Sequence, residues 1–101
     1  MSIKKQYLKT KSICKVTFKL ANRVTNNAKQ VNLVGEFNNW DVNGIPMRKN
    51  KNGEYTASLD LEKGREYQFR YLIDGHNWYS DPEADRYEAN VFQSENAVVV
   101  V

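Results

Sequence analysis

Residues 31–40 read Val31-Asn32-Leu33-Val34-Gly35-Glu36-Phe37-Asn38-Asn39-Trp40. Val31, Leu33 and Val34 around a polar Asn32 predict a strand, which runs into Gly35. Glycine permits close backbone approach or a positive φ. The Asn38-Asn39 pair then predicts a turn, because asparagine bonds its own backbone and tolerates the left-handed region. A strand that turns at once and ends on tryptophan, followed by Asp41, sets a large flat ring beside a loop. That ring is either the lid of a core or a platform for a ligand.

The same strand-and-turn rhythm continues on both sides. Upstream, Cys14, Val16, Phe18 and Leu20 alternate with Lys15, Thr17 and Lys19, the period-two signature of a half-buried strand. Ala21 to Gln30 reads as a turn. Ile3, Tyr7 and Leu8 among four lysines predict a short edge segment, its lysines discouraging further pairing. Downstream, Asn43-Gly44-Ile45-Pro46 breaks the chain and 47–49 is a brief strand. Asn52-Gly53 predicts a type I′ hairpin turn. Tyr55, Ala57, Leu59 and Leu61 form the inward set of the next strand, and Glu62 to Arg65 the next turn. Tyr67, Phe69, Tyr71 and Ile73 share the core face of the following strand, with Gln68, Arg70 and Leu72 on the other. Asp74-Gly75 turns the chain towards Trp78 and Tyr79. Residues 80–95 show no periodicity and predict a long loop, and 98–101 a terminal strand.

No helical period exceeds a turn, and turn signals recur every 8–12 residues, as in sandwich domains. The expectation is an all-β fold, an immunoglobulin-like antiparallel β-sandwich of about seven strands. One domain spans 1–101, with 1–12 as an amino-terminal extension or edge segment and 13–101 as the module proper. A chain of 101 residues suits one domain and buries most of its apolar surface without disulfides or metals. The antibody-type Cys…Trp…Cys pattern is absent.

Charge and chemistry narrow the function. The net charge is +3, yet residues 1–35 hold eight Lys or Arg and no acid, while 36–101 hold seven basic and twelve acidic residues. A basic third can meet phosphate. Here Lys15 and Lys19 alternate with the apolar set as a solvated strand face, so neither nucleic acid nor membrane is the expected partner. The single Cys14 shares the phase of Val16 and reads as a buried thiol. With no apolar run behind Met1 and no membrane-length stretch, the expected location is the cytoplasm, or a compartment reached within a complex. His76 is the one histidine and falls on a turn tip. Asp81, Glu83, Asp85 and Glu88 form the densest acidic run. Clustered carboxyl groups can hydrolyse glycosides or hold calcium, but Asp81-Pro82-Glu83-Ala84-Asp85 lacks the glycine and spacing of an EF-hand. The expectation is therefore no catalytic residue, no metal and no cofactor. What remains is a binding face built from Trp40, Trp78 and Arg70, flat rings suiting the apolar faces of sugars. Core packing is the alternative for each tryptophan.

These motifs resemble family 48 carbohydrate-binding modules, the early-set domains at the amino termini of isoamylases and glycogen branching enzymes and in the AMP-activated protein kinase β subunit. The resemblance rests on Gly35-Glu36-Phe37-Asn38-Asn39-Trp40, then Gly53-Glu54-Tyr55, then Tyr67-Gln68-Phe69-Arg70 to Asp74-Gly75, then Trp78, Asp81-Pro82 and Glu95-Asn96-Ala97-Val98-Val99. It covers about residues 14–101. It implies non-catalytic binding of α-1,4-glucan, whether glycogen or starch fragments. Trp40 and Trp78 would be the two stacking rings, and Arg70 would bond sugar hydroxyls where lysine is common. Asn96 would be the polar residue before the last strand, with Phe92 a loop side chain entering a bent glucan and Ser94 its hydrogen-bonding neighbour. Such modules usually sit beside a catalytic barrel. The expected partners are accordingly an α-glucan and a glycogen-metabolism enzyme met in trans. The rival readings are an early-set protein-interaction module, favoured by buried tryptophans, and a detached accessory domain of a glycoside hydrolase or branching enzyme.

Overall fold

The computed structural model describes residues 3–25, 28–89 and 95–101. Its strands are β1 (Ile3–Tyr7), β2 (Ile13–Leu20), β3 (Val31–Gly35), β4 (Ile45–Pro46), β5 (Arg48–Lys49), β6 (Tyr55–Glu62), β7 (Glu66–Ile73), β8 (Asn77–Tyr79), β9 (Arg86–Ala89) and β10 (Glu95–Val100). All strand pairs are antiparallel, in two sheets. One has the order β1-β2-β6-β5 and the other β4-β3-β7-β10-β9, with β8 also paired to β7. This is the expected immunoglobulin-like β-sandwich, with more and shorter strands than the seven anticipated.

Alternation builds the core. Cys14, Val16, Phe18 and Leu20 of β2 face Val31 and Leu33 of β3, Phe69, Tyr71 and Ile73 of β7, and Ala97 and Val99 of β10, all buried. The aromatic rings interlock at its centre. Phe18 meets Phe69 edge-on at 5.0 Å, and Phe69 meets Tyr71 at 5.7 Å, geometries that favour the ring quadrupoles. The Tyr71 hydroxyl donates to the fully buried Asp81 carboxyl at 2.8 Å. Burial, then the charge of Asp81 and this bond, push the Tyr71 phenol far above its usual range.

β1 lies at an edge, as its lysines predict. Its register pairs Ile3 with Phe18 and Lys5 with Val16, so Lys5 points inward. It reaches Asp85 at 2.7 Å, joining the rims of the two sheets. Asp85 also accepts from the Val100 amide at 2.7 Å. Partial burial opposes ionisation of Asp85, but the Lys5 and Val100 bonds outweigh it and hold its carboxyl below the usual range.

Four local expectations need correction. The break expected over 43–46 ends in β4, where Ile45 and Pro46 pair with Leu33 and Asn32 of β3. Residues 80–95 are not wholly a loop, since β9 pairs with β10 there. Hydrophobic alternation does not carry that strand. It is held by backbone pairing, by ion pairs from Arg86 to Glu66 and Glu88, and by the Tyr87 hydroxyl donating to the Asp81 carbonyl at 2.6 Å. The Asn52-Gly53 turn is not type I′, because only Gly53 of the pair has positive φ, at 79°. The side chain of Asn50 instead organises a wider loop, accepting from the amides of Asn52 and Glu54, both at 2.9 Å. The turn expected over 21–30 contains a single helical turn, α1 (Asn22–Thr25).

Candidate functional site

Trp40 owes its place to the backbone before it. At Gly35, where β3 meets Phe69 of β7, a Cβ would lie 2.5 Å from the Gln68 carbonyl oxygen and 2.9 Å from Phe69 Cβ. Its φ of −174° is ordinary extended backbone, so close approach explains this glycine. A 3₁₀ turn, Glu36–Asn38, follows. The Asn38 side chain accepts from the Gly35 amide at 3.0 Å and the Trp40 amide donates to the Gly35 carbonyl at 2.9 Å. Asn39 and Trp40 both adopt φ of 58°, a conformation unfavourable for a bulky residue and sustained by its surroundings. The Trp40 side chain emerges 36% exposed.

Trp78 stands on β8, opposite Leu72 of β7. The β7–β8 turn gives φ of 52° at Asp74 and 74° at Gly75, the two positive values a type I′ turn requires. The Asp74 carboxyl accepts from the amides of Lys29 and Gln30, at 2.8 and 3.0 Å, fastening the turn to the preceding segment. Trp78 is 42% exposed.

Arg70 lies on the same outer face of β7. Its guanidinium carbon is 5.5 Å from the centre of the Trp78 ring, a cation–π contact. Burial lowers the Arg70 pKa from its ordinary value, though the group stays a cation at neutral pH. Asn96 is the second residue of β10, and its amide donates to the Gln68 side chain at 3.1 Å. Ala97 pairs with Phe69, so Asn96 flanks β7 on the side away from β3.

Arg70 and Trp78 therefore touch, and Asn96 is tied to the same strand. Trp40 stands at the corner where β3 ends, and among the described residues no ring contact joins it to Trp78. Phe92 and Ser94 lie outside the described residues. The acidic run serves structure in part: Asp81 receives Tyr71, Asp85 holds Lys5 and Glu88 receives Arg86. His76 is exposed at the β7–β8 turn, Nδ1 within 2.7 Å of the Asp74 carbonyl. Among the described residues no cluster of three potential metal ligands occurs, and no helix is long and apolar enough to cross a membrane.

The roles of two residues of this face escape a reading of alternation alone. Gln68 supplies the acceptor for Asn96. Asn32 of β3 lies buried on the outer side, on the same face as Arg70. Alternation puts Asn32 and Val34 on one side of β3, but only the β3–β7 register brings them beside Arg70.

The chain is 42% identical over 60 residues to the 5'-AMP-activated protein kinase subunit beta-1 of Sus scrofa, covering 59% of this chain and 45% of that protein. It is 40% identical over 60 residues to the beta-1 subunit of Rattus norvegicus and to the beta-2 subunit of Homo sapiens, covering 59% of this chain and 20% and 21% of those proteins. The chain thus spans less than half the length of these curated relatives. A family model matches residues 19–101. The chain belongs to the family described as the glycogen recognition site of AMP-activated protein kinase.

Proposed function

We propose that this chain is a non-catalytic module that binds α-1,4-glucan, as in glycogen or starch, with Trp40 and Trp78 as stacking platforms and Arg70 and Asn96 as hydroxyl partners. Phe92 and Ser94 complete the proposed contact set. The observation that carries the reading is Trp78, an exposed indole braced by the Arg70 guanidinium on a sheet face. Exposure of both indoles also supports it over the protein-interaction reading, which indoles buried within the fold would favour. Removing roughly 100 Å² of apolar surface on one ring contributes about 2.5 kcal/mol. Association costs several kcal/mol, so one ring alone binds weakly and two rings with polar partners are needed. Membership of a family described by glycogen recognition agrees with this ligand class. The module would act within, or in trans with, a glycogen-metabolism enzyme in the cytoplasm.

Calorimetric titration with β-cyclodextrin and maltoheptaose tests the reading. The expected result is saturable binding that weakens by about tenfold or more in Trp78→Ala with circular dichroism unchanged. No heat up to millimolar sugar, or full affinity in the variant, would overturn it.

A further inference from the structure

Among the described residues, two buried polar atoms on the outer face of the second sheet find no hydrogen-bond partner within the protein: Oδ1 of Asn32 and Nε of Arg70. Their chemistries are complementary, since an amide oxygen only accepts and a guanidinium N–H only donates. Buried polar groups in folded proteins are almost always satisfied, and Asn32 is only 3% exposed. The β3–β7 register pairs Asn32 with Leu72 and Val34 with Arg70. Asn32 and Arg70 are therefore diagonal neighbours on one face, at a spacing long side chains can bridge. Trp78 lies across Leu72 from Asn32, beneath the reach of the same guanidinium.

We propose that Asn32 is a positioning residue for Arg70, with Oδ1 and Nε–H sharing one buried water that holds the guanidinium against Trp78. The water accepts from Nε–H and donates to Oδ1, satisfying both atoms at once. Of the five guanidinium N–H donors, this occupies the innermost. The four terminal donors stay available for hydroxyl groups outside the protein, while the guanidinium keeps its place over the indole. Only that last consequence rests on the glucan-binding reading; the bridge is a property of the chain alone.

The test is hydrogen exchange of the arginine Nε–H groups in nitrogen-15-labelled protein, with Arg70 assigned by its loss in Arg70→Lys. In the parent protein the Arg70 signal is expected to exchange far more slowly than those of the exposed Arg23, Arg48 and Arg65. Asn32→Leu, which keeps the volume and removes the acceptor, is expected to accelerate it by about tenfold, the factor of one ordinary hydrogen bond. Asn32→Asp, which restores an acceptor, is expected to slow it again, and maltoheptaose affinity is expected to follow the same order. A purely packing role for Asn32 would shift the melting temperature and leave this exchange unchanged, which would overturn the proposal. So would fast Arg70 exchange in the parent protein, a result that requires no variant to fold. Slow exchange lost in Asn32→Leu, in a protein that binds no glucan, would uphold the bridge and reject the glucan reading.

Discussion

A methyl group at position 35 would meet a backbone carbonyl at 2.5 Å, closer than real Cβ atoms come. Gly35→Ala gains a little by restricting the unfolded chain, about 0.4–1 kcal/mol. Overpacking against the Gln68 carbonyl costs more, about 3 kcal/mol, because neither strand can retreat without breaking the β3–β7 ladder. Gly35→Ala is expected to be destabilised by about 2 kcal/mol net, measured by urea unfolding. The need for glycine here was legible in the sequence, but its reason was not. Two reasons were open, positive φ and close approach, and the structure selects the second. The neighbouring positive-φ residues are Asn39 and Trp40. Asparagine advertises that conformation, whereas nothing in the identity of tryptophan does. Arg70 and Trp78 could each be read as outward-facing, yet their contact depends on β8 returning along β7, which is set by the Asp74-Gly75 turn.

At the scale of elements, strands written in apolar alternation were readable: β2, β6 and β7 appear close to where the period places them. Strands held by polar ties were not. β9 carries Arg86, Tyr87, Glu88 and Ala89, a sequence with no buried face, and it is held by pairing to β10 and by the polar ties of Arg86 and Tyr87. The ends of the sandwich behave alike, since β1 is clasped to the opposite rim by Lys5 and Asp85. The folded Asp85 carboxyl titrates below its usual range, so the clasp stabilises the fold above the ordinary carboxylate pKa. That contribution disappears as pH falls through the lower folded value. With Asp85 about a third exposed, solvent screening limits it to about 1 kcal/mol or less. Asp85→Asn is expected to melt below the parent protein at neutral pH. The gap is expected to close in acid, when the parent carboxyl is itself protonated; a constant gap across the range would argue against the ion pair.

For the whole molecule, the uneven charge offers a discriminating experiment. The amino-terminal third is basic and the rest acidic, so a charged polymer would be held through one region and released by salt. A neutral glucan on an aromatic face would not. The maltoheptaose dissociation constant is expected to change by less than about twofold between low salt and half-molar salt, as screening acts on charge pairs alone. A steep loss would point to a polyanionic ligand instead. The fold class could be read from turns and alternation, whereas the arrangement of the outer face required the registers of β3, β8 and β10 on β7.

The placement of the two indoles also decides what light reports about this protein. The chain has two tryptophans, both exposed at the surface, while its core is lit by phenylalanine and tyrosine alone. Tryptophan emission therefore follows the surface and not the packed interior. An unfolding curve drawn from it and one drawn from far-ultraviolet dichroism sample different parts of the sandwich. Their coincidence would be independent evidence that surface and interior melt as one cooperative unit.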